Sequence, residues 1–354
     1  MLIDVRITTC FSILRQACNY SCIKDPQTRP PDNILIPSYV CDCVADAVSE
    51  YGIEFKCYDV SKSTLSVDLE DVRASIYNNT KAILIVHYFG FANSIEEVKN
   101  LTNERGIFLI EDCAHALFSS YSGTKLGTFG DLAIFSIRKS LPTLDGAFLL
   151  INNESLQPSR DIAESSTLYR LMLALTTFDL VSEWRMKPKS GILLRLIYIA
   201  IARLQHVLLG YGMHFNSATA DFLAPVQPSK ISLKIMDHCS ASEIIQKRRE
   251  HYSYLLRHFR SNRSIIPVFK QLPDGVCPYV FPAFVEERDS LRARLSNNEI
   301  ETSCLWCNES LPAQAKNDRF KNAQFISNHI LTLPIHQDLD IKQLRYIVNE
   351  LDRY

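Results

Sequence analysis

The chain has 354 residues, 47% hydrophobic and 22% charged, with Lys+Arg at 38 against Asp+Glu at 39. A net charge of −1 and the absence of any basic block exclude a nucleic-acid binder's electrostatic footprint, which leaves small molecules as the expected ligands. The eleven cysteines are odd in number and lack framework spacing, and "MLIDVRITTC" carries no leader pattern, so reduced thiols in the cytoplasm are expected.

In chain order, short apolar runs alternate with helical patterns. "NILIPS" (33–38) reads as a buried strand and residues 39–52 as a helix. "FKCYDV" (55–60) is a strand, "DLEDVRASI" a helix and "KAILIVHYFG" (81–90) a strand. The helix "SIEEVKNLTNERG" leads to the strand "IFLIED" (107–112), after which a new helix is expected to start near His115. "LAIFSI" and "GAFLLIN" close the region. This alternation predicts an α/β fold, a mostly parallel sheet flanked by helices.

Residues 153–225 read as helical and irregular, with an insertion over about 153–212. Within it, Gly191–Gly212 is strongly apolar but interrupted by Arg195, Arg203, Gln205 and His206. Those interruptions argue against a spanning helix. They leave a helix buried in protein, or one lying at a membrane surface, as the two readings. The remainder mixes a long helix (240–259), strands near "CPYVFPAFV", a helix over 288–300, "HILTLPIHQ" and a closing helix over 340–351. The expected division is a large domain, 1–225, and a small C-terminal α/β domain, 226–354. No G-x-G-x-x-G follows a strand, which argues against a nicotinamide or flavin site. The C-x-x-C of Cys304 and Cys307 lacks the second pair that zinc requires, so no metal is expected.

In open α/β sheets ligands sit beyond the carboxyl ends of the strands. Glu111 and Asp112 end one such strand, His115 follows, Ser136 lies in the next strand and Lys139 just beyond it. Singly, each has an ordinary reading: Asp112 as a helix cap, His115 as a surface residue, Lys139 as a solvated charge. Together they suit pyridoxal phosphate, which needs a lysine amine, a carboxylate for its ring nitrogen and donors for its phosphate.

The same residues carry a resemblance. Glu111-Asp112-Cys113-Ala114-His115-Ala116, then Gly123, Gly127, Gly130-Asp131, Phe135-Ser136-Ile137, Lys139 and Asp145-Gly146 are similar to the central motif of the DegT/StrS-type aminotransferases; "ILIPSY", "VHYFG" and "ILTLPIHQ" extend the likeness over most of the chain. The resemblance implies fold type I, with a seven-stranded-type sheet. It implies pyridoxal 5′-phosphate as cofactor, a homodimer, and transfer of an amino group from a donor such as glutamate to a keto-sugar nucleotide.

Position by position, it implies Lys139 as the Schiff-base lysine, Asp112 on the ring nitrogen and His115 beside the ring. Ser136 and the Thr8-Thr9-Cys10 helix start fall at the phosphate. Asn216 falls where the family supplies a residue from the partner subunit. The chain departs from the pattern where Cys41 replaces the stacking aromatic, leaving Tyr39 as the nearest ring. It also departs where no arginine follows Asn216, and where the link from strand to lysine is two residues short. Those departures keep two rivals open: a non-catalytic binding or scaffold protein, and a pyridoxal-phosphate enzyme of another type, such as a sugar dehydratase.

Overall fold

The computed structural model describes residues 2–7, 32–49, 52–143, 145–156 and 228–354. Its first strands are β1 (Leu2–Ile7), β2 (Asn33–Pro37), β3 (Glu54–Tyr58), β4 (Thr80–Val86) and β5 (Phe108–Asp112). A small hairpin of β6 (Ser120–Tyr121) and β7 (Thr124–Lys125) follows, then β8 (Leu132–Ser136) and β9 (Ala147–Ile151). Apart from the hairpin these strands make one sheet in the order β1-β9-β8-β5-β4-β2-β3. The run from β3 to β8 is parallel, while β9 and β1 are antiparallel. β2 and β8 are buried at every position, as continuous apolar runs in a sheet covered on both faces should be. This is the expected α/β sheet, with β1 an addition that alternation in the sequence did not reveal.

The helices α1 (Asp42–Ser49), α2 (Leu69–Ser75) and α3 (Ile95–Arg105) link the parallel strands. Asp68 caps α2, its side chain accepting from the N–H groups of Glu70 and Asp71. α3 buries Ile95, Val98 and Leu101 on one stripe. The expected helix after β5 is absent. Residues 113–119 form turns instead, and Asp112 accepts the Ala114 N–H at 2.9 Å in place of a helix cap.

A second, antiparallel sheet of β10 (Ile265–Pro267), β11 (Phe281–Val285) and β12 (Ile330–Leu333) lies in the C-terminal part. With it go α4 (Lys230–His238), α5 (Ala241–Phe259), α6 (Arg288–Asn297), α7 (Lys321–His329) and α8 (Ile341–Leu351). α8 starts with a reciprocal capping box between Asp340 and Gln343. The two sheets share one continuous apolar core, from Ile34, Leu84 and Leu109 to Tyr252, Phe281 and Leu331.

Polar ties reinforce that junction. Tyr39 Oη donates to the Leu305 carbonyl at 2.8 Å, and Tyr279 N–H donates to the Phe89 carbonyl at 2.8 Å. Gln314 docks its amide on edge strand β3, accepting from Cys57 N and donating to Phe55 O, which covers backbone groups an edge would otherwise expose. Gly90, with φ of 94°, passes so close to the Cys277 carbonyl that an added Cβ would stand 2.3 Å from its oxygen.

Two expectations need correction or placement. The thiols are not all reduced, since Cys304 and Cys307 are joined in a disulfide, their Cα atoms 5.9 Å apart. The apolar stretch Gly191–Gly212 lies outside the described residues; among those described, no helix is long and apolar enough to cross a membrane.

Candidate active site

The register of the sheet aligns the chemistry-bearing residues. Val86 pairs with Asp112, and Asp112 pairs with Ile134, so β4, β5 and β8 end along one rim. Ser136 is the last residue of β8 and is buried. The turn after β8 carries exposed Arg138 and half-buried Lys139.

Lys139 Nζ lies 3.1 Å from His115 Nε2. The other imidazole nitrogen, Nδ1, receives the N–H of Phe89 at 3.4 Å. Because that N–H can only donate, the proton of the neutral ring belongs on Nε2, facing the lysine. Burial, and then the Lys139 charge, push the His115 pKa well below the ordinary value, so the ring is neutral at physiological pH. Phe89 itself adopts φ 56° and ψ 20°, a left-handed conformation that costs a non-glycine residue about 1 kcal/mol or more. That strain accompanies an N–H aimed at the imidazole.

Asp112 is partly open along the rim. Burial raises its pKa; the Lys139 charge, the Ala114 N–H and then His87 oppose the rise without cancelling it. Its Oδ2 has no hydrogen-bond partner among the described residues. This carboxylate is therefore short of positive charge.

Glu111, next to it, is buried completely and fully bonded. Oε1 accepts from Phe129 N at 2.9 Å and Gly130 N at 2.5 Å, and Oε2 accepts from Gly127 N at 2.8 Å and His87 Nε2 at 2.9 Å. His87 Nδ1 in turn accepts the Asn93 N–H, which places the ring proton on Nε2. The glycine motif is thus a cradle for Glu111. Gly127 has φ of 92°, and an added Cβ would lie 2.3 Å from the Phe135 ring. Asp131 completes the unit by accepting Leu109 N and Asn153 Nδ2. Cys113 also approaches His87 and Glu111, but His87 Nε2 and Glu111 Oε2 are already spent on hydrogen bonds, which makes the trio a poor metal cage.

Two aromatic residues of the C-terminal part complete the surroundings of His115. Tyr279 lies parallel to its ring at 4.7 Å and Trp306 at 5.6 Å, with Phe89 at 5.8 Å. Neither Tyr279 nor Trp306 was expected here, and no local signal marks them, because each stands more than 160 positions away in the chain.

Tyr39 requires a correction. It is fully buried, its hydroxyl is held by the Leu305 carbonyl and its ring packs on Tyr88 and Trp306, so it belongs to the core and presents no face to a cofactor. Cys41, which replaces the aromatic, precedes α1 and is half-buried. Thr8, Thr9, Cys10 and Asn216 lie outside the described residues.

A family model of the DegT/DnrJ/EryC1/StrS aminotransferases matches residues 22–166 and 231–352. The chain belongs to that family. Among relatives of the DegT/DnrJ/EryC1/StrS chain, the dTDP-4-dehydro-2,3,6-trideoxy-D-glucose 4-aminotransferase of Saccharopolyspora spinosa is 29% identical over 335 residues, covering 92% of this chain and 78% of its own. Helicobacter pylori PseC, an aminotransferase involved in the biosynthesis of pseudoaminic acid, superposes with a TM-score of 0.70 at 16% identity, over 100% of this chain and 86% of that one. The Escherichia coli GDP-4-keto-6-deoxy-D-mannose-3-dehydratase, in a structure with bound hydrated PLP, superposes with a TM-score of 0.67 at 18% identity, over 99% and 86%. At these identities the two structures speak for the fold alone.

Proposed function

We propose that this family member is a pyridoxal-phosphate aminotransferase that moves an amino group from an amino acid such as glutamate to a nucleotide-linked keto-sugar. The observation that carries the reading is the rim itself: a lysine amine 3.1 Å from a neutral histidine, with a half-buried carboxylate lacking a full complement of partners beside them. The residues fit the cofactor. Asp112 offers an unpartnered oxygen and a raised pKa that a cationic ring nitrogen would relieve, and Ser136 places a hydroxyl at the end of the neighbouring strand.

When bound, pyridoxal phosphate supplies an electron sink for negative charge at the substrate's α-carbon. Lys139 would hold the cofactor through its amine and carry a proton to and from that carbon. His115 would orient the amine in its neutral form, the Nε2–H of a desolvated, neutral ring donating to the lysine nitrogen. Asp112 would hold the ring nitrogen in its charged form. Thr8, Thr9 and Cys10 would serve the phosphate. Asn216 would serve a second copy's site in a homodimer, and the cytoplasm is the compartment where nucleotide-sugars would reach it.

The test is the visible absorbance of purified protein mixed with pyridoxal phosphate. Wild type should bind it with a spectral shift that glutamate reverses, and Lys139→Ala should not; identical spectra for both would sink the reading. Product analysis then separates the reactions, since an amino-sugar made at the expense of glutamate denotes transfer and loss of water without amine gain denotes a dehydratase.

A further inference from the structure

Trp306 reaches His115 from an unusual stretch of backbone. Its φ is 52°, in the left-handed region that a bulky side chain avoids. It stands between Cys304 and Cys307, whose disulfide closes a loop of sequence separation 3 around it. The loop is rooted at Ser303, which bridges to Thr332 of β12. Inside it the Leu305 carbonyl accepts Tyr39 Oη at 2.8 Å, and the Trp306 carbonyl accepts Ser327 Oγ at 2.7 Å. The indole packs edge-on against Tyr39 and Tyr88 and lies 16° from parallel to the His115 imidazole, at 5.6 Å. His115 meets Lys139 at 3.1 Å, so a single side chain separates the indole of the disulfide loop from the amine.

The bond is not sealed in the core. Both cysteines are half-buried, and Arg292 donates through Nη1 to Cys304 Sγ at 3.4 Å. A thiolate released on Cys304 would meet that guanidinium, and a disulfide breaks more readily when the departing sulfur is stabilised as an anion. The other described cysteines are free, so pairing at 304 and 307 is selective. In the cytoplasm proposed above a disulfide is as a rule transient and redox-linked instead of a fixed staple. C-x-x-C is also a spacing on which dithiol exchange commonly runs.

We propose that Cys304 and Cys307 are a reversible dithiol–disulfide site, opened by a dithiol reductant, that sets how firmly Trp306 packs on His115 beside Lys139. A thiolate of the reductant attacks Cys307 Sγ and forms a mixed disulfide, while the Cys304 sulfur leaves with the electron pair and takes a proton. The reductant's second thiolate attacks the reductant sulfur of that mixed disulfide, frees Cys307 as a thiol and closes the reductant's own disulfide. The cysteine pair gains two electrons and two protons, and the reductant loses them. Opening the bond returns conformational freedom to the loop and lets Trp306 relax from its left-handed conformation. The bonds from Tyr39 and Ser327 survive, so the indole loosens without leaving. Water then reaches His115, whose desolvated, neutral state the closed loop helps to maintain. The link to the cofactor rests on the function proposed above; the thiol chemistry and the loosening do not.

The experiment poises full-length wild type and the double variant Cys304→Ser/Cys307→Ser in buffers of graded reduced to oxidised dithiothreitol. Alkylation and mass spectrometry count the thiols of the peptide holding both cysteines. Hydrogen exchange follows 303–307 and the segment of the Phe89 N–H that bonds His115. After removal of the reagent without air, titration with pyridoxal phosphate reads cofactor affinity from the visible band. In wild type the pair should close and reopen reversibly, and both segments should exchange faster when it is open. Cofactor affinity should fall about fivefold or more on opening, and all three transitions should share one redox midpoint. The double variant should match reduced wild type in every buffer. If it does not fold, the two redox states of wild type carry the test by themselves.

A pair that stays closed or stays open across the whole series overturns the inference. So does exchange near His115 that is unchanged on opening, a cofactor affinity that ignores the redox state, or a double variant that still responds to dithiothreitol. A wild type that never develops the cofactor's visible band sinks the aminotransferase reading instead, and the thiol count and hydrogen exchange then decide this inference.

Discussion

Glu111 and Asp112 are neighbours on β5, carry the same charge, and meet opposite electrostatic circumstances. Successive strand residues face opposite sides of a sheet, so one carboxylate turns into the glycine cradle and the other toward the lysine. Burial works to raise the pKa of both. For Glu111 the hydrogen bond and charge of His87, with the Gly130 and Gly127 N–H groups, outweigh burial and hold the carboxyl below its usual range. For Asp112 a lysine charge and one N–H do not suffice, and its pKa stays above the usual range. The comparison separates a carboxylate whose bonding is completed by the fold from one whose bonding the fold leaves incomplete.

The largest way to break this contrast is Glu111→Ala. It would strand three N–H groups and His87 in a closed interior, and about 3–5 kcal/mol of unfolding free energy should vanish in a denaturant titration. A loss under about 1 kcal/mol would mean that the cradle is not the anchor described. Asp112→Asn should act in the opposite direction on the cofactor-free protein. Removing a poorly compensated charge should leave the thermal midpoint equal or higher by roughly 2 °C, while pyridoxal-phosphate affinity falls about tenfold or more. A lower midpoint would show that Asp112 is structural after all.

The pH dependence sharpens the same pair. Glu111 has a depressed folded pKa, so its contribution is present above about pH 4.3, the unfolded value, and is lost as pH falls through the lower folded one. Asp112 has a raised folded pKa, so its contribution is full below about pH 3.9 and is lost as pH rises through the folded value. Unfolding followed against pH should therefore lose its acid limb in Glu111→Gln and its upward drift toward acid in Asp112→Asn. His115 adds stability above about pH 6.5 that is lost as pH falls toward its depressed folded value, a slope that His115→Gln should remove. The smallest effect is that of Tyr39→Phe, about 1 kcal/mol for the bond to Leu305, read by the same titration.

Much of the fold was legible because its signals are local. The strands at 33–37, 80–86, 108–112 and 132–136 announce themselves as continuous apolar runs, and the helix at 241–259 by its stripe. β1 escaped because an edge strand pairing antiparallel with β9 needs no alternating helix to mark it. The helix expected at His115 failed for a local reason, since Asp112 bonds Ala114 two residues on and closes a turn. Tyr39 was misjudged because nothing nearby reveals that Leu305 and Trp306 would cover it.

Sequence by itself determined the alternation of strand and helix, the family, and the residue types at the rim: Asp112, His115, Ser136 and Lys139. It does so because periodicity and motif spacing are properties of neighbouring residues. Tertiary structure alone decided which carboxylate is satisfied, which nitrogen of His115 faces the lysine, and which rings enclose it. It also decided that Arg248 lies buried, held by Gln337 and the Ser140 carbonyl. Those outcomes depend on partners brought together from distant parts of the chain, and burial and charge act through space rather than along the backbone.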